Sequence, residues 1–63
     1  MIAENLYHLR VYKAHITQRE LSELSGVTNV AISCLERGLR IPQKATVQKL
    51  ADALGVSVKE LTE

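Results

Sequence analysis

An all-α fold, a compact five-helix bundle occupying residues 1–63 as a single domain, is predicted by three features of the chain. Apolar residues recur at three- and four-residue spacing through most of its length. Two hydroxyl residues stand three positions ahead of a glutamate where such runs begin, and glycines follow where runs end. No stretch alternates apolar and polar residues over the length of a half-buried strand, so no sheet is expected.

The elements follow in order. Ile2, Leu6, Leu9 and then Tyr12 or Lys13 mark an amphipathic first helix from about residue 3 to 14. Thr17 and Glu20 in "TQRE" form a capping-box pattern, so a second helix is expected over about 18–25, ended by Gly26, which has no Cβ to clash in a left-handed turn. Thr28 is placed to cap a third helix reaching about Arg37, closed by Gly38. Pro42 falls in the connection, where it interrupts nothing. Val47, Leu50, Ala51 and Leu54 give a fourth helix over about 44–54 that stops at Gly55, and Ser57 with Glu60 repeats the capping box ahead of a short final helix through Leu61.

Composition narrows the function. A chain of 63 residues buries only about 60% of its unfolded surface, too little for an elaborate catalytic cavity. The chain is 46% hydrophobic with two tyrosines and no Phe or Trp, so its core must be aliphatic. One cysteine cannot form an internal disulfide or a zinc cluster, and fits a reducing compartment. No apolar run is long enough for a membrane span or a signal peptide, and the expectation is a cytoplasmic protein. His8 and His15 are seven apart on one face of the expected helix, without a third ligand in reach, so no metal is expected. No nucleophile stands beside a base with an orienting partner, and no paired carboxylates or glycine-rich phosphate loop appear, so neither an enzyme nor a cofactor is expected.

The net charge of +1 conceals a local excess. Residues 37–51 hold Arg37, Arg40, Lys44 and Lys49 and no acid, whereas residues 1–36 carry a net −1 and residues 52–63 a net −2. A local basic patch, and not the total, is what attraction to phosphates requires.

The third helix has two faces. Ala31, Ile32 and Leu35 make a buried stripe, leaving Asn29, Val30, Ser33, Cys34 and Arg37 on the other side. A helix, a three-residue turn containing Gly26 and a second helix over residues 18–37 match a helix-turn-helix in lengths and turn chemistry. "TQRELSELSGVTNVAISCLERG", followed by Pro42 and "TVQKLADALGVS", resembles the Cro and phage-repressor type of helix-turn-helix, the lambda-repressor-like five-helix domain of bacterial and phage transcriptional regulators. The resemblance covers nearly the whole chain and rests on Gln18, Leu21, Gly26-Val27-Thr28, Ile32, Leu35-Glu36-Arg37-Gly38, Pro42, and Leu50-Ala51 through Ser57.

The resemblance implies that helix three enters the DNA major groove and that Thr28, Asn29, Val30, Ser33, Cys34 and Arg37 touch base edges. Asn29 has the chemistry for a bidentate pair with adenine, and Val30 that for a thymine methyl. Cys34 stands where the family often has a polar residue, which implies an apolar contact or an unused site. Gln18 at the start of helix two, with Arg40, Gln43 and Lys44 around the start of helix four, are the expected phosphate contacts. Leu54, Val56, Val58 and Leu61 are the expected dimer interface, although some of them must seal the domain's own core. In one respect the chain departs from the family. The family pattern places an arginine seven residues before the helix-two glutamine, paired with the glutamate of "LERG". Here Arg10 lies eight before Gln18 and Val11 holds the expected place, so an Arg10–Glu36 pair requires a longer first helix or turn.

The implied function is sequence-specific binding of a double-stranded DNA operator by a dimeric transcriptional repressor, weakly dimeric without DNA and encoded by a bacterium or phage. The alternative is a protein-interaction module on the same fold, such as an antitoxin or a repressor partner.

Overall fold

The computed structural model describes residues 2–63, and among them five helices and no strand are found. Helix α1 spans Ile2–His8 and continues into a π-helical segment, Leu9–Ala14; α2 spans Gln18–Ser25, α3 Asn29–Glu36, α4 Lys44–Leu54 and α5 Val58–Thr62. Helix α1 packs on α3 and α5, α2 on α3 and α4, and α4 on α5.

Local chemistry sets the boundaries. Thr17 Oγ1 accepts from the Glu20 amide at 3.0 Å while Glu20 Oε1 accepts from the Thr17 amide at 2.9 Å, and Ser57 with Glu60 repeats the arrangement at the start of α5. Gly26 ends α2 with φ of 77°, a left-handed conformation, and its amide closes onto the Ser22 carbonyl at 2.9 Å. Val27, in the same turn, is buried and pins the turn to the core.

That core is aliphatic: Leu6, Leu21, Ile32, Leu50, Ala51 and Leu61 are fully buried, with Leu35, Val47 and Leu54 beside them. Ala31 is half-buried against this cluster. Asn5 Nδ2 donates to the Leu61 carbonyl at 3.1 Å and ties the first helix to the last.

The first helix differs from a plain amphipathic α-helix. From Leu9 to Ala14 it widens into a π-helix, and His15 then adopts a left-handed conformation with φ of 56°. The π-helix bonds i to i+5 and holds more residues per turn than an α-helix, so an additional residue can be taken up locally. That is how the eight-residue separation of Arg10 from Gln18 is accommodated. His15 lies beyond the helical segment, so it shares no helix face with His8. Tyr7 and Tyr12 are exposed and pack with the His8 ring on the surface, the His8 and Tyr12 rings stacked with centroids 5.5 Å apart, and do not seal the core.

The C-terminal apolar cluster divides by burial. Leu61 is fully buried and Leu54 nearly so, because α5 folds back on α4 and α1 and both leucines fill the chain's own interior. Leu61 therefore presents no surface, and Leu54 only a trace. Val56 is half-buried, and Val58 retains exposed surface.

Candidate nucleic-acid interface

Helix α3 presents the two faces read from the sequence. Ile32 and Leu35 point into the core, whereas Thr28, Asn29, Val30 and Arg37 are exposed, Val30 at 70%. Ser33 and Cys34 are half-buried, the latter as a free thiol. Thr28 is the N-cap, its Oγ1 accepting from the Ala31 amide at 3.1 Å, which leaves the hydroxyl proton available to donate. The helix ends on the Gly38 amide, which donates to the Leu35 carbonyl at 3.1 Å, and the Leu39 amide, which donates to the Cys34 carbonyl at 2.9 Å.

The position of α3 is fixed by a buried polar junction. Arg10 Nε donates to Glu36 Oε2 at 2.6 Å and Arg10 Nη2 to Glu36 Oε1 at 2.9 Å, a two-pronged pairing of planar groups. Arg10 Nη1 donates to the Ile16 carbonyl at 2.9 Å, and Gln18 Nε2 donates to Glu36 Oε1 at 3.0 Å. The side chains of Arg10 and Glu36 retain only 10% and 5% of their exposure. The junction therefore joins the first helix, the start of α2 and the end of α3. Bonding to Glu36 raises the affinity of the Arg10 guanidinium for its proton, against the opposing effect of burial. The Arg10 side chain also lies over the Tyr7 ring, 5.6 Å from its centroid.

Arg10 is the residue whose role the spacing argued against, since the widened turn between it and Gln18 leaves no mark in the apolar periodicity. The signal available was the glutamate of "LERG" itself, an acid at the inner end of a helix with a buried stripe. Gln18 proves to have two sides. One hydrogen of its Nε2 is committed to Glu36, while the second and Oε1 are not.

The cations divide in the same way. Among the described residues the ion pairs are Arg10–Glu36 and a loose, exposed Lys13–Glu60 at 4.0 Å. Arg37, Arg40, Lys44 and Lys49 are exposed and have no carboxylate within ion-pair distance. Arg37 and Arg40 lie in the connection leaving α3, and Lys44 opens α4. Helix α4 has no side-chain cap at Gln43, so the amides of its first turn lack an intrahelical acceptor at the end that Lys44 opens. At α2 the capping box satisfies the Glu20 amide and leaves those of Gln18 and Arg19 open.

A helix-turn-helix family profile matches residues 6–61. Among solved structures the fold is similar to the restriction-modification controller protein C.AhdI from Aeromonas hydrophila, with a TM-score of 0.89 and 33% identity over 95% of this chain and 89% of that one. An uncharacterized HTH-type transcriptional regulator of Sinorhizobium fredii, y4dJ, is 43% identical over 97% of this chain and 78% of its own length. Another from Mycobacterium tuberculosis is 46% identical over 76% of this chain, which spans only about a third of that protein (34%). With the turn at Gly26, the capped α3 and the buried Arg10–Glu36 junction in place, the chain belongs to the helix-turn-helix family in its Cro and phage-repressor form, whose named relatives are transcriptional regulators.

Proposed function

We propose that this domain reads a DNA operator through the major groove as a homodimeric repressor in the bacterial cytoplasm. The observation that carries the reading is the outward face of α3, with Asn29, Val30 and Arg37 open to solvent and followed in the chain by a run of exposed, unpaired cations. Asn29 supplies a donor and an acceptor to adenine, Val30 an apolar contact to a thymine methyl, and Ser33 with Thr28 hydroxyl contacts to base or phosphate. Cys34, half-buried, offers only the edge of its thiol. Arg37 serves guanine or a phosphate from the end of the helix.

Phosphates hold the register. Gln18, with the open amides of the first turn of α2, takes one strand, and Arg40, Gln43 and Lys44 at the uncapped start of α4 take the other. One such unit reads only a few base pairs, and two copies on half-sites about 34–36 Å apart supply the specificity. Occupancy of a promoter is sufficient to block transcription, which is why repression is the simplest regulatory outcome.

Selection from a random duplex library tests the reading. Enrichment of a two-fold symmetric site is expected, and binding that prefers no duplex over a scrambled one would point instead to a protein-interaction module. On the selected site, Asn29→Ala should relax preference at one base pair by about fivefold to 150-fold, the equivalent of about 1–3 kcal/mol. Lys44→Ala should weaken all duplexes alike and reduce the slope of log affinity against log salt by about one ion. An unchanged salt slope would remove Lys44 from the phosphate contacts.

A further inference from the structure

The buried junction decides which end of the Gln18 amide faces inward. Glu36 Oε1 and Oε2 accept from Arg10 Nη2 and Nε, and a carboxylate paired with a guanidinium has no hydrogen to offer. Only the NH2 end of Gln18 can therefore meet it. The flipped amide would set two oxygens against each other across the 3.0 Å now spanned by a hydrogen bond. The second Nε2 hydrogen then points away from Glu36, on a half-buried residue at the start of α2, where the Gln18 and Arg19 amides are also open.

We propose that Glu36 is a positioning residue for DNA binding, holding the Gln18 amide so that its second Nε2 hydrogen is presented to a backbone phosphate. The last residue of α3 and the strand beside it are then spaced by a single amide group. This rests on the operator reading above and deepens it. A glutamine free in solvent loses rotamer freedom when it grips a phosphate, whereas one already held by a carboxylate of 5% exposure has lost it on folding.

Arg10 makes the arrangement electrostatically tolerable. A bare carboxylate one amide away from a phosphate would repel it, and the Arg10 charge cancels that of Glu36 at 2.6 Å. Arg10 itself is spent: Nε and Nη2 donate to Glu36 and Nη1 to the Ile16 carbonyl, with the side chain 10% exposed. It acts on the strand through Glu36 and Gln18. A phosphate carries no sequence information, so the effect is on grip and not on base preference.

Duplex affinities of wild type, Gln18→Ala, Glu36→Gln and the double variant test the coupling, measured where urea titration shows each to be folded. Gln18→Ala should weaken every duplex about tenfold when Glu36 is present. In the Glu36→Gln background, where a neutral amide no longer dictates which end of Gln18 faces it, the loss should be about threefold or less. Base preference should be the same in Gln18→Ala as in wild type. Equal losses in the two backgrounds would overturn the proposal, as would a wild type that binds no duplex. Should Glu36→Gln fail to fold, NMR on wild type decides. One Nε2 hydrogen of Gln18, assigned by its absence in Gln18→Ala, should be displaced from the free-glutamine position without DNA, and the second only when duplex is added. A pair at free-glutamine positions in the DNA-free protein would overturn the proposal. If wild type binds every duplex alike and the unequal losses persist, the positioning stands while the operator reading falls; a selected operator with equal losses is the reverse.

Discussion

Glu36→Ala is expected to destabilise the domain by about 3–5 kcal/mol, because it strands the buried Arg10 guanidinium without its counter-charge. A 63-residue domain has roughly 3–9 kcal/mol in total at the usual 0.05–0.15 kcal/mol per residue, so most of the reserve is lost. At about 4–8 °C per kcal/mol the midpoint of thermal unfolding should fall by about 12–40 °C. Arg10→Ala should destabilise as well, since it leaves the buried Glu36 carboxylate with only the Gln18 donor at 3.0 Å. A midpoint for Glu36→Ala within a few degrees of wild type would show that the junction contributes little. The pH dependence has a definite sign. The folded-state pKa of Arg10 is raised, so its contribution is complete below the ordinary arginine range and is lost only as pH climbs through the raised value. Across neutral pH the Arg10 contribution should be flat.

Ile32→Ala and Val30→Ala, two residues apart on α3, should behave as opposites. Ile32 is fully buried, and truncation leaves a cavity between α3 and the helices packed against it, costing about 2–5 kcal/mol. Val30 is 70% exposed, so its truncation should change stability by no more than about 0.5 kcal/mol. Operator affinity should reverse the order among folded molecules: at low temperature, where Ile32→Ala is still native by urea titration, Val30→Ala should show the greater loss per folded molecule. Equal stability losses from the two substitutions would mean that α3 does not have one packed and one open side.

Elements bounded by chemistry were readable in the chain. The ranges of α2 and α4 match expectation to the residue because Thr17, Gly26 and Gly55 each satisfy a helix terminus in a way that few other residues can. The inward and outward sides of α3 followed from period alone. The π segment did not, since Ile2, Leu6 and Leu9 fit an α-helix equally well and the added residue matters only through a partner 26 positions away, Glu36. Leu54 and Leu61 show the complementary limit: apolar spacing says that a residue is buried but not whether its own chain or another one buries it.

The wide turn at Leu9–Ala14 also bears on how such a domain can change its length. One residue added to an α-helix swings everything after it by about a quarter of a revolution, at 3.6 residues per turn. Here the surplus is confined to six residues, and Arg10 within them and Gln18 beyond them still meet at the same carboxylate. The seam between the first two helices is therefore a place where insertion can be absorbed without redesigning the remainder, a latitude that tightly packed small proteins rarely have outside their loops.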